Sequence, residues 1–240
     1  MLNFLRKLRR KNMNSKYIKY ALGEIALVVI GILIALWINN WNQERKDKLL
    51  AENYLERVES DLTELIDRSS NLTNQNRKIL HAITKTQSLL ERGTPLSESE
   101  KEIVNYAFLW FPRTTYGLPH MITYEEMKES GKINLIYEQK LRSQLSEFYN
   151  YLSQIEAIYI RLGVDIEDQF SVYNKYIKST TDPESLEITY EYDFKGMTND
   201  PEFINTFSRM ALHWRGFVFF MEGVNQRGKG IVDEYFLNEN

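Results

Sequence analysis

Residues 25–38 read IALVVIGILIALWI, fourteen positions without a polar side chain. With Ala21, Leu22, Gly23 and Glu24 in front, the run reaches 18 residues, roughly 27 Å of helix and enough to cross the hydrocarbon core of a bilayer. A cleaved secretory signal ends in small residues at an A-x-A-like site, whereas the exit here is Ala35-Leu36-Trp37-Ile38-Asn39-Asn40-Trp41. Arg9-Arg10 does not make a twin-arginine signal, because Lys11-Asn12-Met13-Asn14 stands where apolar residues belong. The segment reads as an uncleaved signal anchor. Tyr17 and Tyr20 precede it and Trp37 and Trp41 close it, the amphipathic rings expected at the two headgroup levels. A buried core helix of a soluble protein, the competing reading, gives no reason for rings at both ends.

The charge pattern sets the expected orientation. Residues 1–20 hold seven Lys or Arg and no acid, which leaves 23 bases against 33 acids in the rest of the chain. Arg6, Lys7, Arg9, Arg10, Lys11, Lys16 and Lys19 outweigh Arg45, Lys46 and Lys48 beyond the span, so the positive-inside rule puts the N-terminus in the cytoplasm. The expected organisation is a basic cytoplasmic tail over 1–20, a transmembrane helix over 21–41 and a periplasmic domain over 42–240. Leu2, Phe4, Leu5 and Leu8 among the bases suit a short amphipathic helix on anionic lipid. Topology already accounts for the basic block, and no folded readout module accompanies it, so no nucleic-acid partner is expected.

The wider stretch Tyr20–Lys46, YALGEIALVVIGILIALWINNWNQERK, resembles the start of an uncharacterised family of single-pass membrane proteins of the Bacteroidota, with the signature Y-x-x-G-E-I-x-L-V-V-x-G-I-L-I-A-L-x-I-N-N-W-N. A second block is similar to the same family: Tyr124-Glu125-Glu126-Met127 through Ser130-Gly131, Leu135-Ile136, Leu141-Arg142 and Phe148-Tyr149. The resemblance implies a domain of unknown function in a periplasm, and says nothing about chemistry.

Beyond the span, apolar residues recur at steps of three and four from Leu55 through Val58, Leu62, Leu65, Ser69, Leu72, Asn76, Ile79, Ile83 and Thr86 to Leu90. No Pro or Gly falls between Glu44 and Arg92, so one helix of about 70 Å is expected, ending at Gly93-Thr94-Pro95. Ser69, Asn76 and Thr86 interrupt the seam, either setting register or partner choice in a coiled coil or, the favoured reading, fitting an imperfect intramolecular bundle. Ser97 with Glu100 makes a capping box for a short helix to Trp110, and Thr123 with Glu126 reads as a second box before a C-cap at Ser130-Gly131. Another seam follows: Leu141, Leu145, Phe148, Leu152, Ile155, Tyr159, Leu162, Ile166, Phe170, Tyr173 and Ile177. Leu186, Ile188, Tyr190, Tyr192 and Phe194 alternate like a strand without an evident partner, so an extended segment along the bundle is expected. Asp200-Pro201-Glu202 opens a last helix with Phe203, Phe207, Met210, Trp214, Phe217, Met221 and Val224 on one face. The fold class is all-α: one N-terminal transmembrane helix continuing into an extracytoplasmic antiparallel bundle with long helices.

The chemistry is sparse. With no cysteine there is no disulfide, thiolate metal site or cysteine nucleophile. His81, His120 and His213 stand in no H-x-x-x-H frame, and no Walker loop, G-x-S-x-G or G-x-G-x-x-G occurs. No metal, cofactor or catalytic residue is expected, and the protein reads as a non-enzymatic module for sensing, scaffolding or assembly with a membrane or envelope partner. The alternative is a ligand-binding sensor resembling helical-bundle chemoreceptor domains. Trp110, Arg113 and Tyr116 in an aromatic loop, with Trp214 and Arg215 on the last helix, would then hold an anion between cationic and ring walls. The competing reading has these rings plugging the end of the bundle. In the span, Glu24, Val28, Gly31 and Ala35 fall at steps of four, three and four on one face, and Gly31 with Ala35 permits close helix approach. Besides lipid, the expected partner there is a second copy of the chain or another membrane protein.

Overall fold

The computed structural model describes residues 2–113, 117–118, 120–167 and 169–237, with side chains from Tyr17 onward other than that of Glu167. The chain divides into two compact units, residues 1–54 and 55–240. In the first, every described residue belongs to helix α1, whose full extent is Leu2–Arg92. No residue from Tyr17 to Asn40 is buried, and the large apolar side chains between Ile25 and Ile38 are 47% to 74% exposed. Among the described residues this is the one helix long and apolar enough to cross a membrane. The tail's amphipathic pattern at Leu2, Phe4, Leu5 and Leu8 lies outside the described side chains.

The second unit is a helical bundle in which the seams run as the 3.6-residue period requires. From Val58 to Leu90 every seam position is buried, Ser69, Asn76 and Thr86 included, and Leu55 is half-buried. The interruption at Ser69 is accommodated within the chain. Ser69 Oγ donates to the Ile66 carbonyl at 2.9 Å, and Asn225 Nδ2 donates to Ile66 O and Ser70 Oγ at 3.0 and 2.7 Å. Helix α1 stops at Gly93, whose φ of +69° is one a side chain disfavours, and the Gly93 N–H bonds back to Leu89 O at 3.2 Å. Helix α2, Glu98–Trp110, opens on the expected capping box of Ser97 and Glu100.

Helix α3, Ile122–Glu129, departs from its reading. Thr123 is not its cap: Met121 is, and Thr123 is buried inside the first turn. The free Thr123 N–H is met instead by Asp61 Oδ2 of α1 at 2.8 Å, a cap supplied across the bundle. The C-terminus follows expectation. Gly131 has φ +69°, and Lys132 N and Gly131 N close on Met127 O and Lys128 O at 2.8 and 3.3 Å, a Schellman arrangement.

The second seam does not run unbroken to Ile177. Helix α4 covers Gln139–Glu167, the short helix α5 covers Phe170–Asn174, and Ile177 begins a strand. Strand β1, Ile177–Thr181, pairs antiparallel with β2, Ile188–Tyr192, in the register Ile177 with Tyr192 through Thr181 with Ile188. The partner of the alternating segment begins at Ile177, where the expected helical seam ends, because the stretch 177–181 with its β-branched Ile177, Thr180 and Thr181 gains ladder bonds with β2. Asp182 Oδ1 organises the turn by accepting from Glu184 N and Ser185 N at 2.9 and 2.7 Å, and Leu186 takes φ +60°, at a cost of about 1 kcal/mol for a non-glycine residue.

After α6, Phe194–Thr198, helix α7 runs over Pro201–Tyr235 from the expected Asp200 cap. Its predicted apolar face is buried throughout, and Gly228 and Ile231 extend it. Helices α4 and α7 lie antiparallel: Lys140 pairs with Glu234, Tyr159 stacks on Phe217 at 4.4 Å, and Gln169 meets Thr206. A side chain at Gly228 would meet Ile66 Cγ1 at 2.9 Å, so this glycine is what lets α7 approach α1.

Candidate functional site: an aromatic core and a cationic cleft

The aromatic stretch at the end of α2 is drawn mostly inward. Phe108 and Phe111 are fully buried, since α2 presents them at i and i+3 toward α7. Phe111 stacks on Phe207 and Tyr173 at 4.6 and 5.5 Å, while Phe108 meets Tyr192 edge-on at 5.1 Å. The Tyr173 hydroxyl donates to Phe108 O at 3.1 Å, and burial pushes its pKa well above the usual phenol range. Trp110 and Trp214 meet edge to face at 6.2 Å, and both indole N–H groups are buried without an acceptor among the described residues. Phe108, Phe111 and Trp214 form core layers, and Trp110 is half-buried against them.

The basic residues of the sequence-predicted site separate from that core. Arg113 is exposed just after α2, and its charge opposes the rise that burial imposes on the Tyr173 and Tyr190 hydroxyls. Arg215 is exposed while Trp214, the residue before it, is fully buried, because one residue turns the side chain by about 100° around the helix. The structure therefore brings Trp110 and Trp214 together and sets Arg113 near Tyr173 and Tyr190. Tyr116 lies outside the described residues. In the span, Glu24, Val28, Gly31 and Ala35 are all exposed, and a side chain at Gly31 would have nothing within 4 Å.

A different feature escaped the sequence reading. A cleft of about 830 Å³ opens between the turn at 93–96, the side of α2 and the hairpin end, lined by Lys101, Asn105, Tyr190, Tyr192, Phe194 and Lys195. Each element contributes for a local reason. Lys101 and Asn105 are four apart on α2 and so share a face, and Tyr190 and Tyr192 are two apart on β2 and point to one side. Both tyrosines rest edge-on against Phe108, at 6.3 and 5.1 Å, which anchors the cleft wall in the core. Asp193 Oδ1 accepts from Gly196 N at 2.9 Å and starts α6, placing Phe194 and Lys195 at the rim. Lys101 holds Glu98 at 2.7 Å in an exposed pair, and Lys195 has no ion-pair partner among the described residues. Asn105 Oδ1 is buried and accepts no hydrogen bond among the described residues. The tyrosine alternation was the one visible signal, but which side it faced depended on an unrecognised partner strand.

Elsewhere, His213 lies between α4 and α7, where burial lowers its pKa against the opposing pull of Asp165. His81 and His120 are exposed. Among known proteins, a family described as of unknown function, DUF6090, matches residues 24–212. No curated protein and no solved structure matches the chain.

Proposed function

The chain belongs to DUF6090, a family of unknown function, and from that premise we propose that it is a non-enzymatic, membrane-anchored module, N-terminus in the cytoplasm, whose domain over 42–240 serves sensing, scaffolding or assembly in a periplasm. The observation that carries this is the contrast in burial along α1. From Tyr17 to Asn40 nothing is buried, although Ile25–Ile38 is wholly apolar, while from Val58 to Leu90 the same helix buries every seam residue. Each apolar side chain left in water forgoes about 1.5 to 3 kcal/mol of transfer free energy, and a bilayer would supply the apolar surroundings. The seven bases before the span favour N-in insertion, and the likeness of Tyr20–Lys46 to single-pass proteins of the Bacteroidota supports an inner-membrane site with the domain in the periplasm. The partners that follow are lipid around the span and a second copy, or another membrane protein, against the Glu24–Ala35 face.

A reporter fused after Asn240 tests the topology. A reporter that works only in the periplasm is expected to be active, and one that works only in the cytoplasm silent. Activity of the cytoplasmic reporter overturns the orientation, and recovery of the intact chain in a salt- and carbonate-soluble fraction overturns the anchor itself.

A further inference from the structure

We infer that the cleft between α2 and the end of the hairpin is a binding site for a small hydroxylated carboxylate, a sugar acid of the uronate type. The demands of its walls select that class. Lys101 and Lys195 both line the cleft, a local excess of positive charge that favours an anion. The Lys101–Glu98 pair does not block this. Its side chains are 47% and 89% exposed, and such pairs exchange readily for a better-placed carboxylate.

Asn105 adds the opposite requirement. It lines the same cleft, and its Oδ1 is buried without a donor among the described residues, so a ligand that brings a hydroxyl or N–H as well as a negative group satisfies it. A bare phosphate or a simple carboxylate offers acceptors only and sets oxygen against oxygen at that point. A hydrocarbon chain leaves both the carbonyl and the ammonium groups desolvated. The rings of Tyr190, Tyr192 and Phe194 supply flat apolar walls, and two phenol hydroxyls add donors and acceptors. A six-membered ring carrying one carboxylate and several hydroxyls meets all of these together. A volume of about 830 Å³ holds one or two such rings. The walls are prepared beforehand, since both tyrosines are braced on buried Phe108. This site uses neither Arg113 nor Arg215 and does not depend on which side of a membrane the domain occupies.

The test is titration of the full-length chain in detergent micelles with sodium D-glucuronate, followed by calorimetry, with D-glucose and acetate as the neutral and hydroxyl-free controls. Saturable binding of glucuronate is expected, with each control at least tenfold weaker. Lys101→Ala and Lys195→Ala should each weaken it about tenfold with melting curves unchanged, and Asn105→Leu should narrow the gap between glucuronate and acetate. Arg113→Ala should bind like the parent. Absence of saturable glucuronate binding overturns the proposal, as do lysine variants indistinguishable from the parent, or glucose binding as well as glucuronate. Loss confined to Arg113→Ala would move the anion to the loop after α2 and overturn it equally.

Discussion

Glu100 joins two helices through one carboxylate. Both oxygens take the Arg92 guanidinium fork, at 2.7 and 3.1 Å, and Oε2 also accepts from Ser97 N at 2.9 Å, so the end of α1 and the start of α2 are tied across the Gly93 turn. The Arg92 hydrogen bonds, and after them the Ser97 N–H, hold the Glu100 carboxyl at about 2, well below the usual glutamate range. A folded-state value below the unfolded one stabilises the fold above the unfolded pKa of about 4.3, and that contribution is lost as pH falls toward 2. Thermal melts between pH 5 and pH 2 should therefore show the parent losing stability faster than Glu100→Gln. Parallel slopes for the two would mean that this partly exposed pair contributes nothing. Trp214 makes a contrasting case. It is fully buried between Trp110 and Phe217, and Trp214→Ala should cost about 3 to 5 kcal/mol in denaturant unfolding.

At the scale of elements, the caps show which local patterns survive in the folded chain. Ser97-x-x-Glu100 and Thr123-x-x-Glu126 have the same spacing, yet only the first acts as a box. Asp61 reaches the α3 terminus from α1, and Glu126 is taken by Arg57, so the second pattern's side chains serve contacts that its own sequence does not contain. The hairpin shows the same dependence: Ile177 closes a helical seam by spacing and, with the four residues after it, becomes a strand by pairing. The span is different, because its face is set by one helix alone. In membranes, Gly31→Leu and Glu24→Gln should each lower the yield of a chemically crosslinked complex severalfold, while Leu33→Ala should leave it unchanged. Equal yields from all three variants would assign that face to lipid.

At the scale of the whole molecule, the seam of α1 from Val58 to Leu90 is buried within a single chain. It is therefore not needed between chains, and a fragment beginning at Gln43 and lacking the span should sediment as a monomer. A stable dimer of that fragment would place association in the domain.

The helical class, the long apolar N-terminal helix, the start and end of α2, the whole buried face of α7 and the Asp200 cap were legible in sequence, because each follows from periods of 3.6 residues, caps and breakers that act within a few residues of chain. The core role of Phe108, Phe111, Trp110 and Trp214 was legible only as one of two readings, since a cluster of rings does not reveal whether it faces inward. Pairings across long stretches were decided by tertiary structure alone: Asp61 to the α3 terminus, β1 to β2, and Lys101 and Asn105 opposite Tyr190, Tyr192 and Lys195. These depend on which surfaces meet once the apolar faces are buried. Periodicity fixes a residue's direction on its own element, but the neighbour it finds there comes from the packing of elements far apart in the chain.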